Sequence, residues 1–304
     1  AILTYGAAVL LQAVVIGNEQ VRAALGHFPA MPNLIRSVSV GIDGAIDRLT
    51  RSFAPFFSGL TYAMNVLLST LEGALVATPW PLALMALVFL AWQRAGRGAA
   101  VLMVCALLYV GLFGFWEKTA TTASLVIAAL VVCILFGIPL GVAAAKSRTI
   151  RAVLMPCLDV MQTMPSFVYL LPAVAFFSIG KPPALVATVI FAMPPLIRLT
   201  CLGIEQVPLA VREAMYAHGA TPLQTLIKAE LPLAGPSIHA GVNQTIMMSL
   251  SMVVIAALIG GGGLGYDVLF ALQNVQYGRG ILSGSAIVLC AIVFDRLVRS
   301  NAGK

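Results

Sequence analysis

Three glycines at 260, 262 and 265 carry the spacing closest to a known chemical motif, because they match the G-x-G-x-x-G fingerprint of dinucleotide-binding loops. In that fingerprint the glycines join a strand to a helix, and an acidic residue follows about 20 residues later. Here they follow a long apolar stretch, and no acidic residue stands at that offset. We therefore predict an outer turn that ends a membrane span, flexible or tightly packed and suited to a gate, and no nucleotide site.

Motifs for hydrolysis are absent from the sequence. There is no G-x-x-x-x-G-K-[ST] loop for ATP, no H-E-x-x-H, no G-x-S-x-G and no Cys/His spacing that suits a metal. The apolar stretches also lack the polar cluster that a membrane-embedded enzyme would need. We therefore expect the chain not to be an enzyme, with no catalytic residue, metal or cofactor of its own.

The composition places the chain in a membrane. Of its 304 residues 60% are apolar and 10% are charged, and the mean hydropathy is +0.99. Soluble domains are about a quarter charged, which excludes a soluble enzyme. Stretches of about 20 uncharged apolar residues form spanning helices, so we predict an all-α, polytopic protein. The predicted spans are 2–17, 79–93, 99–115, 119–145, 153–178, 183–204, 238–259 and 281–298.

The basic residues give the orientation. With the loop at Arg94 and Arg97 inside, eleven Lys and Arg residues lie on the cytoplasmic side and three, Lys118, Lys181 and Arg279, lie outside. This is the asymmetry of the positive-inside rule. The net charge of +7 therefore reflects cytoplasmic loops, and we expect no nucleic-acid partner.

The segment before residue 79 fits the span pattern less well. Apolar residues over Leu34–Leu49 recur at helical spacing with charges opposite them, which predicts an amphipathic helix in the membrane interface. If the following run 52–71 also spans, this helix lies inside; if not, it lies outside. We expect the outer side.

A patterned polar segment, Glu205–Leu233, interrupts the second half on the cytoplasmic side. Pro208 suits the first turn of a helix, Gly219 suits a left-handed stop, and Thr221-Pro222 suits a new start. We predict two short helices joined at a glycine bend, forming a rigid docking element.

This segment resembles the E-A-A-x3-G-x9-I-x-L-P loop of ABC importer permeases. The matching residues are Glu213-Ala214-Met215, Gly219 and Ala229-Glu230-Leu231-Pro232, with Met for the second Ala and Ala for the Ile. The resemblance implies that the loop, 205–233, couples the permease to an ATPase. It implies that Glu213 and Ala214 face the ATPase, that Gly219 permits the bend and that Pro232 ends the second helix.

A closer resemblance runs from about residue 80 to 298. The runs 158–170, 194–200, 241–245 and 251–256 are similar to permeases of glycine betaine/proline-type uptake systems. The resemblance implies a type I ABC importer fold, with a core of five spans over 116–304 and an N-terminal extension over 1–115. It also implies a multi-pass protein of the bacterial inner membrane that works as a homodimer, surrounded by membrane lipids. Two copies of a separate ATPase would bind ATP and Mg, and an external solute-binding protein would deliver the substrate.

The substrate expected from this resemblance is a quaternary ammonium osmolyte such as glycine betaine or choline. Proline, histidine or taurine, which some relatives carry, stay open. A secondary transporter is a further alternative, although the spans lack the buried carboxylates that such proteins usually have. Aromatic faces attract a trimethylammonium group, and methionines offer polarisable walls. The expected pathway residues are Met161, Met164, Phe167, Tyr169, Asn243, Met247 and Met248.

Overall fold

The structure is a computed structural model, and it describes residues 32–298. All regular elements within this range are helical, as predicted. The predicted span 2–17 lies outside the described residues. The chain divides into two compact units, residues 1–53 and 54–304; the predicted boundary at 115/116 stays a prediction.

The described part of the first unit is helix α1, Pro32–Ser52. Its apolar residues recur on one side, as the sequence predicted, and its charged residues include Asp47 and Arg51, paired one turn apart at 3.9 Å. The helix is therefore amphipathic, the pattern of a helix that lies in a membrane interface.

The second unit contains six helical stretches, among the described residues, that are long and apolar enough to cross a membrane. They are α2 (Ala54–Ala77), α3 (Trp80–Leu112), α4 (Trp116–Lys146), α7 (Lys181–Glu205), the stretch Pro222–Ile259 and α12 (Tyr277–Val298). The length of α2 favours the alternative in which residues 52–71 belong to a span. With Arg94 and Arg97 inside, that alternative places the segment preceding α2 on the cytoplasmic side, opposite to our expectation.

Helix α3 consists of two arms that meet at Gly96. This glycine has φ +82° and ψ −174°, a non-helical conformation that favours glycine. Trp80 and Leu112, at the two ends of α3, line one cavity. On a straight helix they would be about 48 Å apart, so the arms must double back on each other. The arms correspond to the predicted spans 79–93 and 99–115.

The predicted span 153–178 is broken in the middle, although its two halves together are apolar enough to count as one bent span. The chain forms α5 (Arg148–Thr163), a short 3₁₀ turn (Ser166–Tyr169) and α6 (Leu170–Phe177), and the axis bends by 111° at the break. Pro165 explains the bend, because the residue before a proline disfavours helical backbone. Met164 accordingly has an extended conformation, with ψ 137°.

Small residues bring the central helices close together. Helix α7 packs against both α4 and α10 (Leu231–Ala256). A Cβ added to Gly203 would lie 2.7 Å from the Ser237 Cβ, and one added to Gly241 would lie 3.1 Å from the Leu196 Cα. Such close backbone approach is typical of helix packing in membranes.

The glycine-rich turn after α10 is tightly packed. Gly260, Gly262 and Gly263 have positive φ, and the turn leads from a 3₁₀ turn (Ala257–Ile259) into α11 (Gly263–Gln273). Gly180 donates its backbone N–H to the Ile259 carbonyl at 2.8 Å, and Leu264 donates to the Thr122 hydroxyl at 2.9 Å. The turn follows a helix and not a strand, so the dinucleotide interpretation has no structural basis.

The three cations predicted outside all pair with acids. Lys118 and Arg279 both approach Asp267 of α11, each to 2.6 Å, and the Asp267 side chain is fully buried. Lys181 pairs with Glu72 of α2. These pairs join α2, α4, α7, α11 and α12 at the outer ends of the helices.

Candidate coupling site

The cytoplasmic segment begins with the short helix α8, Leu209–Ala217. Pro208 precedes the first helical residue, and Gly219, with φ +78°, ends the helix. The N–H of Gly219 bonds to the Tyr216 carbonyl, and the N–H of Ala220 bonds to the Met215 carbonyl. The predicted glycine stop is thus confirmed, and it follows from the freedom of glycine to adopt positive φ.

A second short helix, α9 (Pro222–Thr225), follows at once. Thr221 accepts a hydrogen bond from the Gln224 N–H, and the Gln224 side chain accepts one from the Thr221 N–H, which forms a capping box. The predicted start at Thr221-Pro222 is therefore confirmed.

The expectation that Pro232 ends the second helix was wrong. A π-turn over Leu226–Glu230 follows α9, and α10 continues directly from it, so that Pro222–Ile259 forms one span-length stretch of 38 residues. Pro232 lacks an N–H, and in a regular helix its ring would crowd the carbonyl four residues earlier. The wider turn just before Pro232 lets the chain continue past it.

The exposed side of the segment is suited to docking another protein. Glu213 and Ala214 are exposed, whereas Met215 and Leu231 are half-buried and Pro232 is exposed. Four large apolar side chains around them are also exposed: Leu209, Tyr216, Leu223 and Ile227. A surface of this kind, apolar with one carboxylate, can bind a partner by burying apolar area around a charge that fixes the register.

The opposite side of the segment holds a buried carboxylate. The Glu230 side chain is 0% exposed, and its oxygens lie 2.5 Å and 2.7 Å from Nζ of Lys146, the last residue of α4. Arg212 of α8 reaches the same carboxylate with Nε at 3.0 Å and also donates to the Ile204 carbonyl of α7. We call Lys146, Arg212 and Glu230 the coupling triad.

The predicted pathway residues are distributed along three elements. Phe167, on the 3₁₀ turn, is 58% exposed, whereas Tyr169 is buried and donates its hydroxyl to the Met161 carbonyl. The Tyr169 ring meets Phe191 of α7 edge-on at 6.1 Å. Met164 packs against the core at the bend. The 3₁₀ turn contacts both α7 and α10.

The remaining pathway residues lie on α10. Met247 is exposed and Met248 is half-buried. Asn243 is half-buried, and its Oδ1 makes no hydrogen bond with any residue that the structure describes. Within the described residues no group of three or more His, Cys, Asp or Glu side chains is arranged to hold a metal. The pathway residues stay a prediction.

Comparison with known proteins decides the family. Residues 137–302, which include the whole cytoplasmic segment, match the family model described as "Binding-protein-dependent transport system inner membrane component". The chain belongs to this family. It is a membrane-spanning component of the bacterial inner membrane, with the helical core described above.

Several curated permeases are similar over most of the chain. The glycine betaine/proline betaine transport system permease protein of Escherichia coli is 44% identical, over 84% of this chain and 72% of that protein. The glycine betaine transport system permease protein of Bacillus subtilis is 43% identical, over 85% and 92%. The glycine betaine/carnitine transport permease protein of Listeria monocytogenes is 41% identical, over 89% and 97%.

A solved structure shares the fold. An inward-facing structure of the MetNI methionine ABC transporter matches 59% of this chain and 92% of the solved chain, with a TM-score of 0.51 and 23% identity. At this identity the match establishes the fold alone, and it confirms the expected type I ABC importer architecture.

The coupling triad was missed by the sequence reasoning. Glu230 stood in the motif that carried the family resemblance, and its apolar neighbours Ala229 and Leu231 were the one local signal that its side chain is buried. Arg212 and Lys146 counted only as cytoplasmic charges.

Proposed function

We propose that this chain is the permease subunit of an ATP-driven importer for a quaternary ammonium osmolyte, with glycine betaine as the first candidate. The observation that carries the proposal is the 43% identity to the Bacillus subtilis glycine betaine permease over 92% of that protein. The likeness thus includes the spans as well as the docking segment. More distant relatives are named for trimethylamine N-oxide and choline, at 38% and 31% identity.

The substrates in these names share one chemical feature, a nitrogen that carries several methyl groups. Such a group is poorly hydrated and is attracted to aromatic faces, by about 0.5–2 kcal/mol for each cation–π contact. Phe167 presents an exposed ring on the 3₁₀ turn, and Met247 presents an exposed thioether on α10. We include them in the transport pathway together with Met161, Met164, Tyr169, Asn243 and Met248.

In the proposed mechanism two copies of this chain form the pathway between them. Two ATPase subunits, which bind ATP and Mg, dock on the exposed side of the cytoplasmic segment through Glu213, Ala214 and the surrounding apolar side chains. ATP binding closes the ATPase pair and moves α8. The spans then open toward the solute-binding protein outside, and hydrolysis reverses the change. The energy difference between the two states is set by the nucleotide.

The experiment is uptake of radiolabelled solute by cells that make this chain with its ATPase and solute-binding protein. A parallel strain carries an ATPase that binds but does not hydrolyse ATP. Uptake of glycine betaine only with the active ATPase supports the proposal. Uptake of trimethylamine N-oxide or choline instead would keep the importer and replace the substrate. Failure of the ATPase to co-purify with this chain would contradict the importer itself.

A further inference from the structure

The buried carboxylate of Glu230 has exposed residues close to it in the sequence. Ile227, Lys228 and Pro232 on either side of it are exposed, yet the Glu230 side chain has no contact with solvent. A carboxylate loses its hydration on burial, and it is retained only where charged partners compensate for that loss. Lys146 and Arg212 are those partners.

The π-turn explains how Glu230 reaches this position. In an α-helix, residues five apart point to different sides, because the repeat is 3.6 residues. The π-turn bonds each N–H to the carbonyl five residues earlier, as Leu231 does to Leu226. Thr225 and Glu230 therefore come to lie on the same side, and both are fully buried. A regular helix here would turn the carboxylate away from Thr225.

The coupling triad joins elements that are distant in sequence. Glu230 ends the π-turn directly before α10, Lys146 ends α4, and Arg212 lies on α8. Arg212 also donates a hydrogen bond to the Ile204 carbonyl near the end of α7. A displacement of α8 alone would leave the buried carboxylate with one cation fewer. Because that loss is costly, α8 moves together with the three spans.

We infer that Glu230 is a positioning residue for energy coupling: it holds the docking helix α8 rigidly to the cytoplasmic ends of α4, α7 and α10. This inference rests on the proposed function. Without the carboxylate the ATPase would still find its exposed docking surface, since Glu213 and Ala214 are untouched. The movement of the ATPase would, however, no longer be transmitted fully to the spans.

The test uses the complete transporter, permease with ATPase and solute-binding protein, in lipid vesicles. The variant is Glu230→Gln, which keeps the size of the side chain and removes its charge. The measured quantity is the number of glycine betaine molecules taken up per ATP hydrolysed, at equal amounts of assembled complex. We expect this ratio to fall about tenfold while the ATPase still co-purifies. The matched control is Asp47→Asn in α1, an exposed acid, which should leave the ratio unchanged.

A second set of variants separates positioning from mere stability. Arg212→Gln removes a cation that is itself partly exposed, and it should lower the ratio in the same way even if Glu230→Gln fails to assemble. Arg212→Lys keeps the charge near Glu230 and should recover part of the ratio. Arg212 and Glu230 interact directly, so their effects should not be additive. The double variant Arg212→Gln/Glu230→Gln should therefore lose less of the transport ratio than the losses of the two single variants combined.

The outcomes are distinct. The inference would be overturned if the assembled Glu230→Gln and Arg212→Gln complexes transport with a normal ratio. It would also be overturned if these variants only lower the yield of complex while the complexes that form keep a normal ratio. Either result would leave the proposed function intact. If the unsubstituted chain binds no ATPase, the proposed function and the inference fall together.

Discussion

Gly141 of α4 lies directly against Thr200 of α7: a Cβ built on this glycine would stand 2.6 Å from the Thr200 Cβ and 2.8 Å from the Ile197 carbonyl oxygen. No real Cβ makes such contacts, so the distance between these two helices depends on the missing side chain. The pair Gly141–Thr200 therefore allows α4 and α7 to pack closely together.

Gly141→Ala should consequently destabilise the protein, by about 1–3 kcal/mol, through overpacking. The matched control is Gly284→Ala on α12, where an added Cβ meets no atom within 4 Å. That substitution should be neutral or slightly stabilising, because alanine favours a helix over glycine. Thermal unfolding of the purified protein, followed by loss of the monodisperse species, checks both. Equal melting temperatures for the two variants would contradict the packing argument.

Gly219→Pro should abolish uptake and ATPase association while membrane insertion stays normal. Proline requires φ near −65°, whereas Gly219 has φ +78°, and the substitution also removes the N–H that bonds to Tyr216. Gly219→Asn is the control, since asparagine tolerates the left-handed region, and it should retain most activity. Co-purification of the ATPase and solute uptake are the measurements. Full activity of the proline variant would show that the bend has no role in docking.

Glu213→Lys should weaken the association with the ATPase without affecting the fold. The side chain is exposed on α8, so its substitution disturbs no packing, whereas reversal of a charge at an interface replaces attraction by repulsion. Asp43→Lys, a charge reversal at an exposed site on α1, is the control. The measurement is the amount of ATPase retained by the tagged permease at increasing salt. Retention equal to that of the control at every salt concentration would exclude Glu213 from the docking surface.

Asp267→Asn should loosen the outer ends of the helices. The substitution leaves Lys118 and Arg279 facing a neutral group, and we expect a loss of about 1–3 kcal/mol, because both cations are partly exposed and can turn to water. Glu117→Gln, at an exposed neighbouring position, should have no such effect. The measurements are thermal stability and cleavage by a protease added to the outer side. Unchanged protease resistance would mean that the ion pairs do not hold α11 in place.

The sequence predicted the backbone conformation correctly where a single residue type decides it. Gly219 correctly indicated the end of α8 and Thr221-Pro222 the start of α9, because positive φ and capping depend on neighbours in sequence. The hairpin at Gly96 was also predictable, since Arg94 and Arg97 divide two apolar arms.

The errors arose where distant residues or a neighbouring proline decide the outcome. Hydropathy correctly marked 153–178 as apolar enough for a span, but it could not give the angle of the break at Met164 and Pro165. The family resemblance implied a helix end at Pro232, but the π-turn before it lets the chain continue as a helix. Buried Glu230 pairs with Lys146, which is 84 residues away in the sequence. Buried Asp267 pairs with Lys118, which is 149 residues away. No local pattern indicates such distant partners.

The stretch Pro222–Ile259 has a consequence for how the two faces of the membrane communicate. Thirty-eight residues of helix measure about 57 Å, more than the thickness of the hydrocarbon core. One end therefore lies among the docking helices, and the other ends at Ile259, whose carbonyl accepts the hydrogen bond from Gly180. A single continuous helical stretch thus reaches from the cytoplasmic segment to the outer glycine turn. The same stretch carries Asn243, Met247 and Met248, so a rotation imposed at its cytoplasmic end would turn these expected pathway residues together with the outer glycine turn.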